Sequence, residues 1–233
     1  SVPVSRIVAT PIVGQHAQAL TEACELIAGP QVRNVATLGG NVAHALPAAD
    51  GTIALLALNA EAEIAGINAQ AAVPGGDSPA IRRIPLHELF VGPGKSTLKH
   101  GEELLVGFYV KTLRVSKTLR VSSCFKRIMR PQGVALPILN CAVWLEREKD
   151  IVKDIHIAVG PGGATPFRAT EAETTLRGQP LSEEAFARTL ESLLVQAQFR
   201  TSPRRASADY RRHLAEGLFK DTLETAWSRA ANH

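Results

Sequence analysis

The chain has 233 residues, 45% of them apolar, which is enough to pack one large domain or two small ones and too much for a disordered segment. Its 26 basic and 22 acidic residues leave a net charge of only +4, without the Lys/Arg block of a nucleic-acid arm. No apolar run approaches the ~20 residues that span a bilayer. Cys24, Cys124 and Cys141 are odd in number, widely spaced and outside any CxxC pattern; they argue against a disulfide framework or a zinc or iron–sulfur site and fit a reducing cytoplasm. The opening Ser1-Val2-Pro3-Val4 has neither the basic nor the apolar region of a signal peptide and no Met, so the sequence reads as a processed product, an expressed piece or one part of a longer polypeptide.

In chain order, Ala19, Leu20, Ala23, Cys24 and Ile27 share one face of a predicted amphipathic helix over Gln15 to Ala28, ended by Gly29-Pro30. A turn-rich segment follows from Gln31 to Val42, then Leu46-Pro47-Ala48-Ala49-Asp50-Gly51, then an apolar run from Ile53 to Leu58 that reads as a short buried helix, with a strand near Ala60 to Ile64. Pro74-Gly75-Gly76-Asp77-Ser78-Pro79 is a loop by its breakers. A short Pro85 to Phe90 segment, a loop through Gly92-Pro93-Gly94 and a strand from Glu103 to Thr112 come next. Lys111-Thr112-Leu113-Arg114-Val115-Ser116 is then repeated as Lys117 to Ser122; the doublet is too short for a solenoid and reads as a local duplication. A domain boundary at about residue 116 divides a first unit, 1–116, from a second, 117–233. Ser123 to Met129, Ile138 to Glu146 and Ile151 to Val159 are predicted strands, the last two forming an antiparallel hairpin through Lys149-Asp150. Helices follow over Glu171 to Arg177, from Ser182 to about Gln198, and from Ser207 to near Ala230. This order predicts an α+β fold with a small antiparallel sheet backed by helices.

Thr37-Leu38-Gly39-Gly40-Asn41 is the segment best suited to chemistry. Consecutive glycines let backbone N–H groups approach an anion without Cβ interference, and the Thr hydroxyl and Asn amide add donors. Such a nest suits a pyrophosphate, and Asp50, nine residues on, is of a type that accepts hydrogen bonds from ribose hydroxyls. The same residues are also compatible with an ordinary tight turn. There is no GxGxxG between a strand and a helix, so a Rossmann domain is not supported. The seven His residues show no metal-ligand spacing; His44 is the one nearest the glycine turn.

The string from Ile27 through Arg33-Asn34-Val35-Ala36-Thr37-Leu38-Gly39-Gly40-Asn41, followed by Pro47-Ala48-Ala49-Asp50, resembles the second FAD-binding motif of the molybdenum hydroxylase flavoproteins, the group of xanthine dehydrogenase and carbon monoxide dehydrogenase. Arg83-Ile84-Pro85-Leu86, Phe90-Val91-Gly92-Pro93-Gly94-Lys95 and Gly101-Glu102-Glu103-Leu104-Leu105 continue the likeness. Phe125-Lys126-Arg127-Ile128-Met129-Arg130-Pro131-Gln132-Gly133, Pro166-Phe167-Arg168-Ala169 and Arg205-Ala206-Ser207-Ala208-Asp209-Tyr210-Arg211 resemble the carboxy-terminal domain of that family. The glycine-bearing Val91 to Lys95 stretch leans towards the xanthine dehydrogenase branch.

The resemblance implies the second subdomain of a CO-dehydrogenase-flavoprotein-like FAD-binding domain followed by the family's carboxy-terminal domain. It also implies residue roles. Thr37, Leu38, Gly39, Gly40 and Asn41 line the FAD pyrophosphate and ribityl region, Asp50 holds a polar group of the cofactor, Leu105 packs against the flavin, and Lys126 lies near the isoalloxazine. In such enzymes an iron–sulfur small subunit carries [2Fe–2S] clusters, a large subunit carries the molybdenum cofactor and the organic substrate, and FAD passes electrons to NAD or another acceptor. No nucleophile or acid–base pair is therefore expected here. Family members usually begin with a further Gly-rich portion that grips the other side of the pyrophosphate. Its absence from these residues leaves three readings: a separate chain carries it, the sequence is a fragment, or flavin binding has been lost and the chain is a non-catalytic assembly module. The Lys111 to Ser122 doublet is a second departure and bears on where Lys126 sits.

Overall fold

The computed structural model describes residues 2–67, 80–112, 119–130, 136–203 and 205–232. The first unit opens with helices α1 (Val4–Val8), α2 (Pro11–His16), α3 (Gln18–Leu26), α4 (Pro30–Arg33), α5 (Leu38–Ala43) and α6 (Asp50–Ala57). Ala17, at φ −144° and ψ 53°, leaves the helical region and splits the helix predicted over Gln15 to Ala28 into α2 and α3. The turn-rich segment after it contains two short helices. Pro30 starts α4 at a position where its missing N–H costs no bond, and the Thr37 side chain caps α5. Every residue of α6 is buried, as its uninterrupted apolar run requires.

Strands β1 (Glu61–Gly66), β2 (Ala80–Pro85), β3 (Phe90–Gly92), β4 (Lys95–Ser96) and β5 (Glu103–Tyr109) follow, with a 3-10 turn at Leu86–Leu89. An antiparallel sheet of order β2-β1-β5 forms, in which Ala62 faces Ile84 on one side and Phe108 on the other. The predicted loop at Gly92-Pro93-Gly94 is the turn of the β3–β4 hairpin, where Gly94 takes φ +67°. The boundary at residue 116 and the centre of the doublet, 113–118, lie outside the described residues, as do 131–133 of the Phe125 to Gly133 string.

The second unit holds β6 (Leu119–Ile128), β7 (Leu139–Glu148), β8 (Ile151–Gly160), β9 (Phe167–Arg168), α7 (Thr170–Leu176), β10 (Gln179–Pro180), α8 (Glu183–Gln196) and α9 (Ala208–Asn232). The sheet runs β10-β8-β7-β6, antiparallel throughout, with β9 beside β8. Lys149 takes φ +53° in the β7–β8 turn, Gly178 takes φ +76° after α7, and the predicted caps form: Ser182 Oγ accepts from Ala185 N and Ser207 Oγ from Tyr210 N.

Both faces of this sheet are covered. One packs on α7, α8 and α9 through Cys124, Cys141, Val143, Ile155 and Ile157. The other packs on α3 and α6 through Phe125, Ala142, Trp144 and Ala158, which belong to the core of the first unit. The near-continuous burial of β7 from Leu139 to Val143 follows from this double cover, and each fully buried aliphatic side chain there is worth ~1.5–3 kcal/mol. Burial also pushes all three thiols, Cys24, Cys124 and Cys141, up to about 12. Among the described residues no helix is long and apolar enough to cross a membrane.

Candidate functional site

The glycine segment is helical. Thr37 Oγ1 accepts from Gly40 N at 3.0 Å and so caps the helix, while the first-turn N–H groups of Leu38 and Gly39 have no intrahelical acceptor. Packing is tight at Gly40 and ordinary at Gly39. A Cβ on Gly40 would sit 3.2 Å from Thr37 Oγ1, and one on Gly39 would lie 3.5 Å from the Leu105 carbonyl oxygen. Thr37, Gly39, Gly40 and Leu105 are brought together, with α5 seated on β5, and of the four only Gly40 lines the cavity described next.

A cavity of about 630 Å³ opens between the two units beside this helix. Gly40, Asn41 and His44 line it from α5, Asp50 from the start of α6, and Arg127 and Arg211 from the second unit. The units are joined on its wall by a buried polar cluster. Arg127 Nη1 donates to Asp50 Oδ2 at 2.5 Å, with side-chain exposures of 7% and 6%. Asn140 Nδ2 donates to Asp50 Oδ1 at 2.7 Å and to the Ala48 carbonyl at 3.1 Å. Burial pushes the Asp50 carboxyl above its ordinary range, and the Arg127 charge and the two hydrogen bonds pull against that rise. Among the described residues, the Asn41 Oδ1, Arg127 Nε and Asn140 Oδ1 atoms are buried without a hydrogen-bond partner. Groups of this kind ordinarily find one, in a ligand or ordered water if not in protein.

Asp50 thus lines the cavity, but both its oxygens are already engaged by the second unit. Lys126 is not brought to the cavity. Successive strand residues point to opposite faces, and on β6 Phe125 and Arg127 turn towards the first unit while Lys126 turns towards α9, where Nζ pairs with Asp221 at 2.6 Å. Its neighbour Arg127 is on the cavity wall instead, with Arg200, Arg205 and Arg211.

Sequence reasoning missed Arg127, Asn140, Gly51 and Gly160. Arg127 was within reach, because strand alternation allows only one of two adjacent cations to face the cavity. Gly51 reads as half of a turn dipeptide but lies in α6, where a Cβ would approach Leu38 Cδ1 to 2.6 Å and Asn41 Oδ1 to 2.9 Å; the signal was a Gly inside a helix, unfavourable by ~1 kcal/mol unless packing demands it. A Cβ on Gly160 would collide with Asn140 Oδ1, with the Pro47 carbonyl at 2.7 Å and with Ile53 Cγ1 at 2.8 Å. Asn140 carries no local signal, since its partners Ala48 and Asp50 lie about ninety residues away.

Residues 1–110 match the FAD binding domain in molybdopterin dehydrogenase, and residues 123–226 match the CO dehydrogenase flavoprotein C-terminal domain. The chain is 31% identical over 226 residues to the xanthine dehydrogenase FAD-binding subunit of Escherichia coli O157:H7, covering 97% of this chain and 72% of that protein. It is 26% identical to the carbon monoxide dehydrogenase medium chain of Hydrogenophaga pseudoflava, with the same coverage. The solved structure of carbon monoxide dehydrogenase from that organism superposes with a TM-score of 0.86 at 26% identity, covering 98% of this chain and 73% of that one.

Proposed function

The chain belongs to the FAD-binding subunits of the molybdenum hydroxylases, and from that membership we propose that it carries FAD in the electron-transfer subunit of a xanthine dehydrogenase-like oxidoreductase. The proposed partners are an iron–sulfur small subunit with [2Fe–2S] clusters and a large subunit with the molybdenum cofactor and the organic substrate. NAD or another acceptor takes the electrons, and a further Gly-rich segment, on this polypeptide or another, completes the grip on the pyrophosphate. The chemistry that bound FAD supplies is the joining of single-electron delivery to two-electron discharge.

The observation that carries this reading is the convergence of Gly40 and Asn41 on a cavity whose opposite wall bears a buried arginine. Its fit to the cofactor is supported by three features. A Cβ on Gly40 would crowd the Thr37 hydroxyl, Asn41 keeps a buried acceptor unpartnered among the described residues, and the volume suits a planar heterocycle. In this reading Thr37, Leu38, Gly39, Gly40 and Asn41 form the wall against the pyrophosphate and ribityl chain, Leu105 backs that wall, and Asp50 acts from within its ion pair.

The test is the visible spectrum of the purified native complex with the intact mass of each chain. Flavin bands that follow this subunit support the reading. A colourless, folded complex that still contains iron–sulfur and molybdenum subunits overturns it in favour of an assembly module.

A further inference from the structure

We infer that Arg33 is a positioning residue for the cavity: it holds the Ile27–Ala28 turn, part of the cavity wall, in a backbone shape that alanine does not keep by itself. This rests on the flavin reading above. Ile27 and Ala28 line the cavity together with Gly40 and Asn41. They connect the end of α3 to the start of α4, and Ala28 turns there through φ +47°. That is the left-handed region, which a Cβ disfavours and glycine ordinarily occupies. Ala45, at φ +53°, repeats the feature between His44 and Leu46, which line the same cavity. Among the described residues the other non-glycine cases are Asn59 and Lys149, in the turns that follow α6 and β7. Backbone held in such a region persists only where its surroundings over-determine it, and it gathers where a fold presents a fixed surface to a ligand.

At Ala28 the over-determining group is the Arg33 guanidinium. From the last turn of α4 it reaches back, Nη1 donating to the Ile27 carbonyl at 3.0 Å and to the Ala28 carbonyl at 2.7 Å. These carbonyls belong to the peptide planes on either side of the Ala28 Cα, so fixing both planes fixes φ and ψ of the residue between them. Hydrogen bonds from a charged donor are roughly twice as strong as neutral ones, and among the described residues Arg33 has no carboxylate partner to divert it. A glycine at 28 would take the same turn unaided, but it would also leave the turn more readily. Alanine with arginine gives a wall that carries a methyl group and stays in place. A wall ordered before the ligand arrives spares the cost of ordering it on binding.

The test is FAD affinity, measured by fluorescence titration of the flavin-depleted complex, with the visible circular dichroism of the bound flavin as a report on its setting. Arg33→Met keeps the length of the side chain and removes its donors; it is expected to weaken FAD binding about tenfold and to change the flavin dichroism. Arg33→Lys keeps the charge on a mobile ammonium and is expected to cost about threefold; it carries the test if Arg33→Met does not fold. The decisive variant is a rescue. Ala28→Gly admits the left-handed turn freely, so adding it to either Arg33 variant is expected to recover about half of the lost affinity on a logarithmic scale, which it would not do if Arg33 acted only as a surface charge. Affinity and dichroism unchanged in the Arg33 variants, or a loss that Ala28→Gly does not reduce, overturns this assignment alone when the wild-type complex is yellow. A colourless wild-type complex removes the flavin reading and this assignment with it.

Discussion

Two of the polar clusters at the interface between the two units differ in how completely they are satisfied. Far from the cavity, Arg168 donates through all three nitrogens, Nε and Nη2 to Glu173 and Nη1 to Asn59, and Glu173 also accepts from Ile157 N at 2.8 Å. Beside it, His156 stacks on Trp144 with centroids 4.6 Å apart and meets the Ala57 carbonyl at 2.9 Å through Nδ1. At the cavity, the Asp50–Arg127–Asn140 cluster and its neighbour Asn41 leave three buried atoms unmet. The closed cluster holds the end of α6 to β8, whereas the open one has bonding capacity left for something outside the chain.

That contrast can be broken at either end. The largest loss is expected from Glu173→Ala, which leaves a mostly buried Arg168 without its carboxylate; unfolding in urea should show ~3 kcal/mol of destabilisation, with FAD affinity unchanged. Gly160→Val, which drives bulk into Asn140, Pro47 and Ile53, should cost ~2 kcal/mol and weaken FAD binding as well, because it shifts Asn140 within the open cluster. A thermal melt and a flavin titration on one preparation check both effects.

A smaller effect is expected from pH. Burial first, and the nearby Arg168 charge second, hold the His156 imidazole below its ordinary range, partly offset by Glu173, the Ala57 carbonyl and Asp154. The unfolded chain therefore takes up the proton before the folded one does. The contribution is present in full above ~pH 6.5 and is lost as the pH falls towards the folded-state value. Urea midpoints across that range should fall in the wild type and flatten in His156→Gln. Least costly to the fold is Gly40→Val, at ~0.5–1 kcal/mol from strain against Thr37. Its flavin affinity is nevertheless expected to fall at least ~10-fold, since bulk enters where backbone must approach the cofactor. Unchanged affinity would remove Gly40 from the site.

How much of this was legible in the sequence depended on the range of the interaction involved. The strands of the second unit, the Ser182 and Ser207 caps and the buried α6 were readable because apolar spacing and capping residues act within a few positions. The break at Ala17 was not, because Ala favours a helix and only tertiary packing takes it out of one. At the site, Gly39, Gly40 and Leu105 came together as the motif implied. Lys126 was separated from them by the two-residue period of its own strand. The Arg127–Asp50–Asn140 cluster joins positions far apart in the chain, and nothing near any one of the three indicates the other two.

The buried cysteines have a practical consequence for following this cavity at work. With Cys24, Cys124 and Cys141 sealed in the cores and held up to about 12, only ~1 in 10⁴ of each is thiolate at pH 8. The described residues of this chain thus give a quiet background for maleimide chemistry. A single reporter cysteine introduced at Leu136, on the rim and 58% exposed, should accept a spin or fluorescent label with no native thiol removed, making the opening and closing of the cleft directly visible.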